Sequence, residues 1–306
     1  MKAASLSRFG APDGLSIDER SIRVLGPAEV AVTVITAGVN PLDVKMMAGY
    51  MQQIFPIEFP YVPGTDFSGV VESVGAQVNN LKPGDRVVGR TAPIAGGAFA
   101  QTVVIAADEL CIIPTGMSAE QAAALPTAFG TAHQALFEVG RLQHGQRVLI
   151  HAAAGGVGCM AVQLAHQAGS YVVATASRKN IDLVRGLGAD EVIDYRTADF
   201  AEVRDIDLVL DTIGGDTLAK SWSVLRDGGR IATLVEFGIQ PANGYSGEFV
   251  FFSNAMPLLS EATRLFQAAR LQVIIDSTFP LDEAELALEK VATGHACGKV
   301  LIQMSN

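Results

Sequence analysis

One passage in the middle of the chain constrains its fold more than any other. Val148-Leu149-Ile150-His151 is an apolar run of the kind that forms a strand covered on both faces, and Ala152-Ala153-Ala154-Gly155-Gly156-Val157-Gly158 follows it directly. Behind the glycines, Val157, Met160, Ala161, Leu164, Ala165 and Ala168 recur at helical spacing. Strand, tight turn and helix therefore succeed one another with no linker. The pattern is a dinucleotide-binding G-x-G-x-x-G turn with Ala152 in place of its first glycine. Gly155 lets the backbone approach a pyrophosphate, Gly158 lets the helix pack on the strand, and the helix start offers free N–H groups to the anion. Ala154, Gly155, Gly156 and Val157 are the expected contacts.

The surrounding sequence supplies a scaffold for this turn. Strand signals at 171–176, 191–195, 207–213 and 230–235 alternate with helix signals at 180–187 and 216–225, which predicts a doubly wound parallel sheet. Before residue 118 the chain reads instead as short β segments at 30–39, 66–75, 86–88 and 99–106, separated by turn formers such as Lys82-Pro83-Gly84-Asp85. Ser118 followed by Gln121 predicts a capped helix start. A further strand is expected at 249–252, a helix at 257–271, a strand at 273–279, a helix at 282–293 and a last strand at 299–304. The fold class is α/β with two domains, as 306 residues suggest.

Composition narrows the function. With 49% hydrophobic and 18% charged residues the chain is not intrinsically disordered. Its net charge of −10 opposes general binding to nucleic acid or anionic membranes. Cys111, Cys159 and Cys297 form no CxxC pair, which argues against a disulfide framework or a four-cysteine zinc lobe and fits a reducing, cytoplasmic compartment. No apolar run is long enough for a membrane helix. His133, His144, His151, His166 and His295 show no HxH or HExxH spacing, and no metal site is expected.

The end of the second parallel strand selects the dinucleotide. An NAD site offers a carboxylate to the ribose hydroxyls about 20 residues after the turn. This chain has Ser177-Arg178-Lys179 there, a hydroxyl and two cations suited to a 2′-phosphate, so the expected cofactor is NADPH.

Several blocks, in order, resemble the medium-chain dehydrogenase/reductase superfamily and within it the zinc-independent quinone oxidoreductase-like branch. They are Gly38-Val39-Asn40-Pro41-Leu42-Asp43-Val44-Lys45, Val62-Pro63-Gly64-Thr65-Asp66-Phe67-Ser68-Gly69, Lys82-Pro83-Gly84-Asp85-Arg86-Val87, Ala122-Ala123-Ala124-Leu125-Pro126, the 148–158 turn, Leu187-Gly188-Ala189-Asp190 and Gly298-Lys299-Val300. The resemblance implies a GroES-like β-rich catalytic domain, 1–120 with 258–306, interrupted by a Rossmann domain at 121–257. Where the zinc-dependent relatives carry Cys, His and Cys, this chain has Asn40, Thr65 and about Thr127, which are poor zinc ligands.

The resemblance also implies roles. Asn40 would face substrate or cofactor, or simply be a turn residue; Tyr50 would donate to a developing enolate, or be an exposed loop tyrosine. Asp43 reads as structural. Thr127 and Thr131 would lie toward the nicotinamide, Tyr195 toward the adenosine phosphates, and Ile213, Gly214, Phe237, Gly238 and Phe252 along the cofactor pocket. Lys299 would be a basic residue near the cleft or a solvated strand lysine. The expected activity is hydride transfer from NADPH to a quinone or α,β-unsaturated carbonyl, with a homodimer formed through the Rossmann sheet edge. The alternatives are a zinc-free reductase of another carbonyl and a cofactor-binding regulatory or structural protein with little turnover.

Overall fold

The structure is a computed structural model and describes residues 1–242, 244–253 and 255–304. In chain order the strands are β1 (Lys2–Leu6), β2 (Leu15–Glu19), β3 (Glu29–Val39), β4 (Asp66–Val74), β5 (Arg86–Arg90), β6 (Thr102–Ala106), β7 (Leu110–Ile112), β8 (Arg147–Ile150), β9 (Tyr171–Ala176), β10 (Glu191–Asp194), β11 (Ile206–Asp211), β12 (Leu225–Thr233), β13 (Ser246–Phe249), β14 (Ile275–Pro280) and β15 (Lys299–Gln303). The α-helices are α1 (Pro41–Met47), α2 (Ala119–Ala123), α3 (Pro126–His133), α4 (Gly156–Gln167), α5 (Ile181–Gly186), α6 (Gly215–Ser221), α7 (Met256–Gln267) and α8 (Ala284–Ala292). They fall into two units, Met1–Thr127 with Asn254–Asn306, and Ala128–Ser253.

The second unit is a Rossmann domain. Its six strands are all parallel in the order β10-β9-β8-β11-β12-β13. The chain winds outward from β8 in one direction, returns to β11 and winds outward in the other, so the switch point lies between β8 and β11. Leu149, Val173, Ile206, Val209 and Ile231 are buried in its core. The apolar run at 249–252 does not continue the edge strand: β13 is Ser246–Phe249. Gly247 sits under Trp222 and Ile239, where a Cβ would meet their side chains at 2.8 and 2.6 Å. Phe249, the last residue of β13, stacks on Phe237 at 3.9 Å between ring centroids, and Phe251 and Phe252 follow outside the strand.

The first unit is β-rich. A sheet of order β14-β15-β3-β4-β5-β7 has β6 added on β3, and β1 pairs with β2 separately. The β-branched β3 is its axis: residues 30–38 pair with β4, 29–33 with β6, and 36–39 with the late strand β15. Pairing with β15 makes this domain discontinuous. β1, β2 and α1 have no counterpart among the predicted elements. In β2 the polar Ser16 and Asp18 dilute the apolar signal. α1 begins at Asn40-Pro41, a cap and first-turn proline rather than an isolated turn. The unit boundary falls after Thr127 instead of 120 because α2 packs on this sheet: Ser68 Oγ donates to Ala119 O at 2.7 Å. The predicted cap of α2 is present, with Ser118 Oγ accepting from Gln121 N at 3.1 Å. The second boundary lies at 253/254 instead of 257 because α7 begins at Met256 and belongs to this unit.

The glycine turn follows β8 as its sequence predicts, and Ala152 stands at φ +47°, a conformation that favours glycine. Gly158 has no room for a side chain, since a Cβ would run into the Ala152 carbonyl and lie 2.7 Å from Ala153 Cα. Ala152→Gly relieves the strain at the first site and should raise unfolding free energy by up to about 1 kcal/mol, net of the added chain entropy, in a urea titration.

Candidate functional site

In the Rossmann domain, most of the predicted cofactor residues come to one edge of the sheet. Ala154 to Val157 follow β8, Ser177 to Lys179 follow β9, Tyr195 follows β10, Ile213 and Gly214 follow β11, and Phe237 and Gly238 follow β12. These are the carboxyl ends of parallel strands, where open α/β sheets receive ligands. Ala154 is buried, whereas Gly155 to Val157 are partly exposed at the start of α4. Ser177 is buried while Arg178 and Lys179 are exposed, and the Arg196 guanidinium lies 5.8 Å from the Tyr195 ring centroid. Phe252 follows β13 at the same edge, and Thr131 lies on α3. Thr131 is buried within α3, and the Phe252 ring lies against Gly130.

His151, between β8 and the turn, is buried. Its Nε2 lies 3.0 Å from Ser221 Oγ, and because that hydroxyl donates to Thr217 O at 2.7 Å, the imidazole proton belongs on Nε2. Burial lowers its pKa to about 4, against a smaller opposing effect from Asp211. It is a core histidine in its neutral form.

The β-rich domain gathers a different cluster, centred on the fully buried Asp66 at the head of β4. Asp66 Oδ1 accepts from Thr127 Oγ1 at 2.6 Å and Thr65 Oγ1 at 3.3 Å; Oδ2 accepts from Asn40 Nδ2 at 3.0 Å and Thr127 N at 3.1 Å. Two buried cations face it, Lys299 Nζ at 3.8 Å and Arg90 Nε at 3.9 Å. Lys299 also donates to Asn40 Oδ1 at 2.6 Å and Val39 O at 2.8 Å, and Arg90 Nε to Thr127 Oγ1 at 3.0 Å. Removing one partner from a buried ion pair costs about 3–5 kcal/mol, so the cluster is a structural commitment.

Three of the residues expected at the site belong to this cluster. Asn40 donates from its amide to Asp66 and accepts from Lys299, so it is held inside the domain at both ends. Lys299 is not a solvated strand lysine: it is buried, and burial lowers its pKa despite Asp66 and Asp43. Thr127 is likewise held by Asp66 and Arg90. Asp43 is structural, as the sequence suggests, its Oδ2 accepting from Asn40 N at 2.7 Å. Desolvation pushes its pKa up to about 7, opposed by the Asn40 N–H, raised further by Asp66 and lowered by Lys299 and Arg90.

The same contacts test the zinc position. Asn40, Thr65 and Thr127 offer one carboxamide and two hydroxyls, each already bonded to Asp66, beside two resident cations. That donor set does not fit a zinc ion. Among the described residues no three His, Cys, Asp or Glu side chains converge. Sequence reasoning passed over Asp66 and Arg90 as ordinary strand residues. The available signal was a carboxylate heading a segment otherwise read as buried.

Tyr50 follows α1 and is 81% exposed. In the same domain a groove of about 470 Å³ is lined by Pro56, Glu58, Pro60, Tyr61, Val62 and Ile94, with Ala95 and Gly97.

A glycine turn at the switch point of a 3-2-1-4-5-6 parallel sheet, carried by a chain that also builds a discontinuous β domain, defines a two-domain dinucleotide-binding class. Residues 26–115 match the family described as alcohol dehydrogenase GroES-like domain, and residues 187–302 match zinc-binding dehydrogenase. The chain is 34% identical over 99% of its length to a chloroplastic quinone-oxidoreductase homolog of Spinacia oleracea, covering 98% of that protein. It is 33% identical over 91% of its length to the mitochondrial NAD(P)H oxidoreductase RTN4IP1 of Homo sapiens, covering 82% of it. The quinone oxidoreductase of Coxiella burnetii superposes with a TM-score of 0.90 at 31% identity, covering 100% of this chain and 99% of that one. The chain belongs to the medium-chain dehydrogenase/reductase superfamily, in its quinone oxidoreductase-like branch. It is an oxidoreductase. No helix among the described residues is long and apolar enough to cross a membrane.

The two shifted groups have opposite effects on stability. Asp43, with a folded pKa of about 7 against an ordinary 3.8, contributes stability that is present in acid and lost as pH rises through 7. His151, at about 4 against 6.5, contributes stability that is present above 6.5 and lost as pH falls toward 4. In melting curves at pH 5 and pH 8, Asp43→Asn should lose less stability than the parent on going to the higher pH.

Proposed function

We propose that this protein reduces a quinone or a conjugated enone with NADPH and without zinc. The single observation that carries the cofactor is the edge of the Rossmann sheet, where the glycine turn, the exposed Arg178 and Lys179 and the 213–214 turn follow neighbouring strands. The residues fit a dinucleotide. Gly155 has open space but for the Ala152 carbonyl, α4 presents its unpaired first-turn N–H groups, and Arg178 and Lys179 supply positive charge for a 2′-phosphate. The NAD(P)H oxidoreductase relative supports a nicotinamide cofactor, and the quinone oxidoreductase relatives support the acceptor.

When bound, reduced nicotinamide supplies a hydride. What this chain contributes is binding and orientation: the turn holds the pyrophosphate and the strand-end loops hold the rest of the cofactor. The acceptor follows from the Asp66 cluster. With Lys299 and Arg90 committed to Asp66, the cluster offers no ligand set for a Lewis acid that would stabilise an alkoxide, as alcohol oxidation requires. A conjugated acceptor spreads the incoming charge over its own carbonyl. The groove beside Tyr61 and Ile94, with Glu58 its one carboxylate, is an open cleft of mixed polar and apolar lining where the acceptor would enter. Tyr50 is exposed and available as proton donor. We further propose a homodimer formed through β13, which lies at an edge of the sheet, and the cytoplasm as the place of action, in keeping with three free cysteines.

NADPH oxidation, followed by its near-ultraviolet absorbance, should proceed with quinones or enones and be unaffected by a chelator. Arg178→Ala with Lys179→Ala should raise the KM for NADPH at least about tenfold and leave that for NADH nearly unchanged. An unchanged preference overturns the phosphate assignment. Light scattering should give twice the mass of one chain.

A further inference from the structure

The cofactor edge of the Rossmann sheet is held by a buried carboxylate that the sequence motifs do not mark. Asp211, the last residue of β11, is fully buried, with no cation of the described residues within ion-pair distance. Its Oδ1 accepts from Ile213 N at 3.0 Å and Gly214 N at 2.9 Å, fixing the turn after its own strand. Its Oδ2 accepts from Thr233 Oγ1 at 2.7 Å, at the end of the neighbouring strand β12. The Thr233 hydroxyl, having donated its proton, accepts from Val235 N and Glu236 N, each at 3.3 Å. One side chain from each strand thus joins two successive loops through five hydrogen bonds.

The loops also pack on one another. Gly214 stands at φ +78°, and a Cβ there would meet Val235 Cγ2 at 2.9 Å. The absence of a side chain at Gly214 thus lets Val235 pack against it, and Asp211 ties the same two loops by hydrogen bonds. Burying a carboxylate with no paired cation is costly, and a fold keeps one only where its hydrogen bonds define a shape.

We propose that Asp211 and Thr233 are positioning residues for the cofactor: they act as one clamp that sets the 213–214 and 235–236 loops at the spacing a bound dinucleotide requires. The inference rests on the cofactor reading above and adds to it the residues that act through Ile213 and Gly214 without touching the ligand. The clamp sets affinity, with a smaller effect on the chemical step.

The test uses the whole protein. The Kd of NADPH is read by fluorescence titration, and kcat is read at saturating NADPH with a quinone that the parent accepts. Thr233→Val removes both the donor to Asp211 and the acceptor for two N–H groups; Thr233→Ser keeps both. Asp211→Asn keeps an acceptor for Ile213 and Gly214 but presents an amide N–H₂ to a hydroxyl that needs an acceptor. Thr233→Val and Asp211→Asn should each weaken NADPH binding about tenfold, and the double variant should be no weaker than either, because all three break one link. Thr233→Ser should bind like the parent, and kcat at saturation should change by less than about threefold in every variant that folds. A merely structural role would lower the melting temperature and the fraction of active protein while leaving the Kd of the folded fraction unmoved, and that result overturns the proposal. So does a double variant whose loss is the product of the single losses. If Asp211→Asn does not fold, the Thr233→Val and Thr233→Ser pair decides alone. A parent that binds neither NADPH nor NADH would instead overturn the cofactor reading, and the clamp's proposed role with it.

Discussion

The β-rich domain depends on one buried carboxylate. Asp66 draws together groups from residues 40, 65, 90, 127 and 299, far apart in the chain, and supplies an acceptor that each of them needs. A polar cluster of this kind is stable only when complete, because each member left behind would be a desolvated charge or an unpaired donor. The axial strand β3, its helix α1 and the late strand β15 are thereby tied at a single point, where Lys299 of β15 reaches Val39 and Asn40. The same completeness supports the proposed chemistry. A cluster already holding two cations and satisfying its amide and hydroxyl groups internally has the wrong donors for a metal, which turns the reading away from alcohols and toward acceptors that stabilise their own charge.

The Rossmann domain rests on a comparable device. Asp211 is also fully buried, but it is answered by N–H and O–H groups rather than by cations. Asp66 closes a domain and Asp211 shapes an edge. The difference follows from the partners: ion pairs anchor segments wherever they meet, whereas backbone N–H groups fix the path of the chain itself.

Much of this architecture is legible in the sequence, for identifiable reasons. The alternation of apolar strands with 3.6-residue periodicity from Arg147 onward can only be a parallel sheet, and the turn around Gly155 and Gly158 has the tight geometry that its glycines imply. Periodicity fails where burial is not the reason for an element. β2 is paired but exposed, and the apolar run at 249–252 leaves the sheet after Phe249 with Phe251 exposed. The site was legible where backbone matters and not where side chains pair over long range. Nothing local to Asn40 says that its amide will face Asp66 and Lys299, so the family's location for it was readable while its hydrogen bonds were not. Asp66 and Asp211 do leave a trace, each a carboxylate at the end of a strand and beside buried residues.

The pairing of β3 with β15 also dictates an order of events during synthesis. Residues 36–39 emerge from the ribosome early, yet their partners at 300–303 are made only after the whole Rossmann domain. That domain has all its strands in one continuous stretch and can complete itself while the first domain still has an open edge and Asp66 still lacks Lys299. The nucleotide-binding half is therefore the first to mature, and the β-rich half spends translation as an unfinished sheet whose exposed edge makes it the part of the newborn chain most in need of chaperone protection.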